Sequence, residues 1–146
     1  MDGDSEMVPA AAAAQHAAAT VLVIEDDYPV RKLLAMHLSA AGYAVLTAED
    51  PRVGGQMLRA SRPDVLLIDI RMPYMNGMDF VEELRRDPSV AHTPVLFLTS
   101  MSDEESYNRA ERLGAAGFLG KPVHRADLLA AVKKALPGAH RLGGAK

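Results

Sequence analysis

The sequence predicts an α/β protein built on a doubly wound, five-stranded parallel sheet covered on both faces by helices. Three observations carry that prediction. Five short apolar runs alternate with five stretches of helical spacing. The runs are continuously apolar, as in Val65-Leu-Leu-Ile68, which suits strands buried on both faces. Polar residues stand where each run stops, at the carboxyl edge where open α/β sheets bind ligands. Right-handed crossovers between such units make the sheet parallel.

In chain order, Val21 to Ile24 reads as the first strand and ends on Glu25, Asp26 and Asp27. Pro29 suits a first helical turn, Val30, Leu33, Leu34, Leu38 and Ala41 follow at helical spacing, and Gly42 stops the helix. Tyr43 to Thr47 is the second strand. Asp50 and Pro51 start a helix through about Ala60, which its interior Gly54 and Gly55 should make the softest, at about 1 kcal/mol each relative to alanine.

The third strand carries Asp69 at its end, and Pro73 with Asn76-Gly77 marks a loop before the helix of Met78 to Arg86. Pro94 to Leu98 is the fourth strand, ending on Thr99 and Ser100. A capping box of Ser102 and Glu105 opens a polar helix, with only Tyr107, Ala110 and Leu113 to anchor it. Gly117 to Gly120 is a short fifth strand ending on Lys121-Pro122, and Arg125 to Leu136 is the last helix. Lys133 and Lys134 oppose its dipole.

Residues 1–19 are acidic, then alanine-rich with no apolar stripe, and read as a flexible tail; 20–137 form one domain and 138–146 a second short tail. No apolar run approaches the roughly 20 residues of a membrane helix, so a cytoplasmic location without membrane attachment is expected. A formal charge of −3 does not suit a nucleic-acid face, and the absence of cysteine excludes disulfides and thiolate-bound metals.

The strand ends bring Glu25, Asp26, Asp69, Thr99 and Lys121 together. Carboxylates about 4 Å apart repel by roughly 4 kcal/mol per pair at an effective dielectric near 20, so the set calls for a cation. All-oxygen ligation suits Mg²⁺. An ionised Asp69 beside that cation and the Lys121 ammonium is placed as a nucleophile toward phosphorus. Thr99 can donate to a phosphoryl oxygen. His37 has no second ligand near it in sequence and reads as packing, Asp27 as a helix cap, and Tyr74 and Met75 as a shield over the site loop.

These residues, in this order and spacing, resemble the receiver domain of two-component response regulators of the stand-alone, chemotaxis-regulator type. The resemblance spans about Thr20 to Leu136 and rests on Glu25-Asp26, Asp69, Pro73, Gly77, Thr99 and Lys121-Pro122. It implies a flavodoxin-like (βα)5 fold with strand order 2-1-3-4-5. It further implies that Asp69 accepts a phosphoryl group from phosphohistidine on a sensor histidine kinase or phosphotransfer protein. Glu25, Asp26, Asp69 and the Arg71 backbone carbonyl would hold Mg²⁺. Thr99 and Phe118 would form the switch pair, with phenylalanine where many relatives have tyrosine, so that the switch rests on packing. Arg71 and Met101 would tune phosphoryl lifetime, and Pro29, Val30, Leu33 and Pro122 would meet the partner.

The resemblance makes the chain a signalling module, not an enzyme, whose output is contact with a downstream protein. With no effector domain after Leu136, a stand-alone module is expected. Relatives that pair through the fourth helix, fifth strand and last helix usually carry acids before the fifth-strand aromatic, where this chain has Ala115-Ala116-Gly117. A receiver excised from a hybrid kinase or DNA-binding regulator is the alternative. A Mg²⁺-dependent phosphohydrolase of the haloacid-dehalogenase kind would want a second acid at position 71, where Arg71 stands.

Overall fold

The computed structural model describes residues 18–100 and 104–136. The expected tails, apart from residues 18 and 19, lie outside that range, as do Met101 and the Ser102 half of the capping box. The elements run β1 (Thr20–Ile24), α1 (Tyr28–Ala40), β2 (Ala44–Ala48), α2 (Pro51–Ser61), β3 (Val65–Asp69), α3 (Gly77–Leu84), β4 (Val95–Thr99), α4 (Glu104–Arg112), β5 (Gly117–Gly120) and α5 (Arg125–Ala135). All strand pairs are parallel, in the order β2-β1-β3-β4-β5. The expected fold and strand order are therefore the observed ones, with helix ends within a residue or two of the expected limits.

Alternation along each strand splits the core in two. Leu22, Ile24, Leu66, Ile68, Val95 and Phe97 face α2, α3 and α4, where Leu58, Phe80, Val81, Leu84 and Ala110 meet them. Val21, Val23, Val65, Leu67, Leu96 and Leu98 face α1 and α5, against Leu34, Leu38, Leu128 and Val132. The three central strands are buried on both faces after the half-buried Thr20 that opens β1, which is why their sequences carry no other polar residue before the carboxyl end.

Three expectations change. Leu33, placed with the helix stripe by spacing, lies 47% exposed, and Leu34 and Leu38 carry the packing of α1. Asp27 occupies the cap position of α1, yet its side chain makes no capping bond. Gly54 and Gly55 do not mark loose packing: both are buried in α2, and a Cβ on Gly54 would lie 2.3 Å from Ile24 Cδ1. The propensity lost there is offset by the close approach of α2 to β1. Asp50 caps α2 as expected, accepting from Val53 N at 2.8 Å.

The polar α4 has one buried residue, Ala110, as its sequence suggests, but it is tied to the body by charge. Arg109 Nη2 reaches Asp79 Oδ1 at 2.5 Å and Glu82 Oε1 at 2.9 Å on α3. Arg85 secures the opposite end of the sheet: its guanidinium donates to the carbonyls of Leu113, Ala91, Thr93 and Gly114 at 2.9, 2.9, 2.7 and 3.4 Å.

Candidate functional site

Glu25, Asp26, Asp69, Thr99 and Lys121 lie at the carboxyl ends of four strands, and the backbone fixes the chain around them. Asp69 closes β3, and Ile70 N then donates to Leu98 O at 2.9 Å, carrying the β3 to β4 pairing one residue past the strand. Gly77 N donates to Ile70 O at 2.7 Å, and a β-bridge links Arg71 to Asn76, so the loop folds back over its own start. Only glycine fits at 77, because a Cβ there would meet Asp69 O at 2.3 Å. Asn76, read from sequence only as a turn residue, caps α3 by accepting from Met78 N at 2.7 Å.

Glu25 is fully buried, Asp69 is 4% exposed and Asp26 is exposed. One carboxylate oxygen from each lies within 4.8 Å of the others, the only such group of three among the described residues. Lys121 spans two of them: Nζ is 2.8 Å from Asp69 Oδ2 and 2.8 Å from Glu25 Oε1. Lys121 N also donates to Thr99 O at 2.7 Å, which fixes the stem of the lysine against β4. Asp69 Oδ1 accepts from Arg71 N at 3.2 Å, and Glu25 Oε2 from Asp27 N at 3.1 Å.

Burial pushes the Glu25 carboxyl up to about 7, against the lowering pull of Lys121 and the Asp27 N–H, while Asp69 adds repulsion. The same desolvation opposes the charge on Lys121, but its bonds to Asp69 and Glu25 prevail and hold its pKa above the ordinary value. The two shifts share a direction and differ in origin. Glu25 has lost its water entirely, whereas the lysine side chain keeps 20% of its exposure.

One ammonium among three carboxylates leaves the cluster short of positive charge. Apart from that ammonium, no donor reaches the buried Glu25 Oε1. All-oxygen donors, two buried and one exposed, fit a hard divalent cation that keeps part of its water.

Beside the carboxylates opens a cleft of about 620 Å³, lined by Asp26, Ile70, Arg71, Met72, Pro73, Asn76, Thr99 and Ser106. Thr99 is buried at its wall. Ser106, on α4, was not singled out from sequence, since no local spacing relates it to the strand ends. Arg31 was also missed; its Nη1 donates to Glu25 O at 2.7 Å from the first turn of α1.

Tyr74 and Met75 do not shield this cleft. They line a separate groove of about 630 Å³ between α2 and α3, with Pro51, Gly55, Phe80 and Leu84, and Tyr74 is 87% exposed. Pro73, one residue before them, lines the cleft instead. His37 sits half-buried in the last turn of α1. Pro29 and Pro122 are exposed and Val30 half-buried. With Tyr28 at 58%, Leu33 at 47% and Met36 at 57% exposed, α1 presents an apolar surface. Phe118 is half-buried on β5 against Phe97 and Tyr107.

Comparison with known proteins points one way. The family model described as the response regulator receiver domain matches residues 21–133. The phosphate regulon transcriptional regulatory protein PhoB of Pseudomonas aeruginosa is 29% identical over 117 residues, covering 80% of this chain and 51% of that protein. The DNA-binding dual master transcriptional regulator RpaA of Synechocystis is 31% identical over 122 residues, covering 84% of this chain and 51% of that protein. The chain thus spans about half the length of these relatives. Among solved structures, the chemotaxis protein CheY4 of Vibrio cholerae superposes with a TM-score of 0.77 at 34% identity, over 81% of this chain and 98% of that one.

Proposed function

Because this chain belongs to the response regulator receiver domain family of two-component signalling, we propose that Asp69 is its phosphoacceptor and that a histidine kinase or phosphotransfer protein is its donor. One observation carries the reading: the Lys121 ammonium lies 2.8 Å from both Asp69 and the fully buried Glu25. Such an arrangement holds a positive charge beside Asp69, where phosphoryl oxygens would arrive.

Asp69 forms an O–P bond as the P–N bond of phosphohistidine breaks, and the imidazole nitrogen leaves with the electron pair and takes a proton from water. Glu25, Asp26, Asp69 and the Arg71 carbonyl would hold Mg²⁺, which when bound neutralises charge on the phosphoryl oxygens. Lys121 orients the carboxylate and neutralises one transferred oxygen. The hydroxyl of Thr99 donates to another and draws β4 toward the cleft. Phe118 then turns inward, altering the surface of α4, β5 and α5.

The exposed apolar strip of α1 with Pro29, Val30, Leu33 and Pro122 suits the docking surface for the donor. Arg71, exposed on the cleft, and Met101 would govern access of water to the acyl phosphate. The output is contact with a protein target, and the formal charge of −3 argues against direct nucleic-acid binding. Turnover as an enzyme is limited to slow loss of the phosphoryl group, because position 71 lacks the second acid of a phosphohydrolase. No helix among the described residues is long and apolar enough to cross a membrane, which agrees with a cytoplasmic location. The chain also suits a receiver within a longer regulator, since the match covers only 51% of each of these relatives.

Incubation with acetyl phosphate and Mg²⁺ followed by intact mass tests the reading. One added phosphoryl group, absent in Asp69→Asn and without Mg²⁺, is the expected result. Equal labelling of Asp69→Asn would overturn it.

A further inference from the structure

Phe118 is held by two other rings. Across the β4–β5 register it pairs with Phe97, whose buried ring meets it edge-on with centroids 6.1 Å apart at 71°. From α4 the Tyr107 ring lies over it at 4.3 Å and 37°. Three of the seven aromatic residues of the chain meet here, so the cluster is the main aromatic feature of the molecule. Phe97 stands two residues before Thr99 on β4 and shares its face of the sheet. Thr99, Phe97, Phe118 and Tyr107 therefore form a row from the cleft to the surface.

Tyr107 has little else to do. It is 48% exposed, the only buried residue of its helix is Ala110, and the charge contacts of α4 with α3 are made by Arg109. The tyrosine keeps an apolar face on Phe118 and a polar tip available to solvent, a division of labour typical of the residue.

We propose that Tyr107 is a positioning residue for the switch: its ring stacks on Phe118 and holds it in the resting orientation, and inward rotation of Phe118 parts the two rings. The inference rests on the reading of Asp69 as phosphoacceptor and Phe118 as the switch aromatic. The stack exists in one of the two states, so it biases the equilibrium toward rest by about two- to tenfold. Phosphoryl acceptance at Asp69 then uncovers the inner face of Tyr107, and α4 presents a new aromatic surface. The phenylalanine on β5 has no hydroxyl to fix its outward position, and the ring from α4 supplies that restraint.

Three phenylalanines make the test direct. Protein labelled with 4-fluorophenylalanine gives three fluorine signals, and that of Phe118 is the one absent in Phe118→Leu. In the wild type, acetyl phosphate with Mg²⁺ is expected to move this signal as the intact mass gains one phosphoryl group. In Tyr107→Ala the signal of the unphosphorylated protein should already lie toward the phosphorylated position, corresponding to a two- to tenfold population change. Tyr107→Phe, which keeps the stack, should match the wild type. Tyr107→Leu, which keeps apolar cover without a ring, should be displaced too, and it serves if the alanine variant does not fold.

The proposal is overturned if Tyr107→Ala and Tyr107→Leu superimpose on the wild type in both states, or if Tyr107→Phe moves as far as they do. A wild type that gains the phosphoryl group with an unmoved Phe118 signal removes the switch reading and this inference with it. A wild type that gains no mass removes the phosphoacceptor reading itself.

Discussion

Replacing Gly77 with alanine should unsettle the fold and the site together, while the same change at Gly55 should do the opposite. A Cβ at position 77 would lie 2.3 Å from Asp69 O and 3.1 Å from both Asp69 C and Ile70 Cα. All three atoms are backbone, so no side chain can swing aside. Reaching the 3.0 Å below which Cβ contacts are essentially never seen requires a retreat of at least about 0.7 Å. That movement stretches the 2.7 Å bond from Gly77 N to Ile70 O and shifts the acceptor strand end. Overpacking costs about 1–3 kcal/mol and the weakened hydrogen bond about 1, against a gain of about 0.5–1 from replacing a glycine.

The net expectation for Gly77→Ala is a loss of about 1–3 kcal/mol in urea denaturation, with at least about tenfold slower phosphoryl gain from acetyl phosphate. At Gly55 a Cβ meets the flexible end of Arg59 at 3.2 Å and the Phe80 ring at 3.5 Å. It sits inside α2, so Gly55→Ala should be neutral or gain up to about 1 kcal/mol. A Gly77→Ala protein as stable and as active as the wild type would refute the argument that backbone proximity, not loop flexibility, demands glycine beside Asp69.

Three further outcomes follow from the same geometry. Without divalent cation, Glu25 has a folded-state pKa near 7 against an ordinary 4.5; the folded chain then binds the extra proton, and the stability this gives is full below about 4.5 and lost as pH rises through 7. Asp26, Asp69 and Lys121 face it, and the contribution has a ceiling of roughly 3 kcal/mol; Tm at pH 5.5 and 7.5 should show the decline, Mg²⁺ should reverse it, and an equal slope in Glu25→Gln would refute the assignment. Lys121→Met removes the positive charge that competes with a cation, so it should bind Mg²⁺ about tenfold more tightly by titration calorimetry yet gain a phosphoryl group at least about tenfold more slowly; parallel changes in both would count against it. Arg85→Met strips the donors from four carbonyls in two connections and should cost about 2–4 kcal/mol in urea denaturation, a loss below about 0.5 refuting the staple.

The strands and the strand-end residues were legible because burial on both faces forces an unbroken apolar run, and the polar residue that ends it is conspicuous. Val65 to Ile68 followed by Asp69 shows this, and so does Val95 to Leu98 followed by Thr99. What pairs with what across the sheet was legible only as topology. The bridging of Glu25 and Asp69 by one lysine depends on a register shared by four strands. Gly54 of α2 was misread because propensity is a local quantity. The reason for Gly54 lies in Ile24, thirty residues earlier. Tyr74 and Met75 were misplaced for a similar reason, since which cavity a loop residue lines does not follow from its distance in sequence to Asp69.

Ser106, missed in the sequence, and Tyr107, read there only as an anchor, show why α4 was hardest to read. Ser106 and Tyr107 are adjacent in sequence but act in different places, one lining the cleft and the other covering Phe118. Successive positions on a helix point about 100° apart, so a short helix crossing the sheet edge can address the cleft and the outer surface at once. A helix with one buried residue resists that double duty weakly. Its position is therefore set by a few directed contacts, the Arg109 ion pairs and the Tyr107 stack. Such contacts are each small enough to be outweighed by a charge-assisted bond at the cleft, which a densely packed helix such as α2 would not allow.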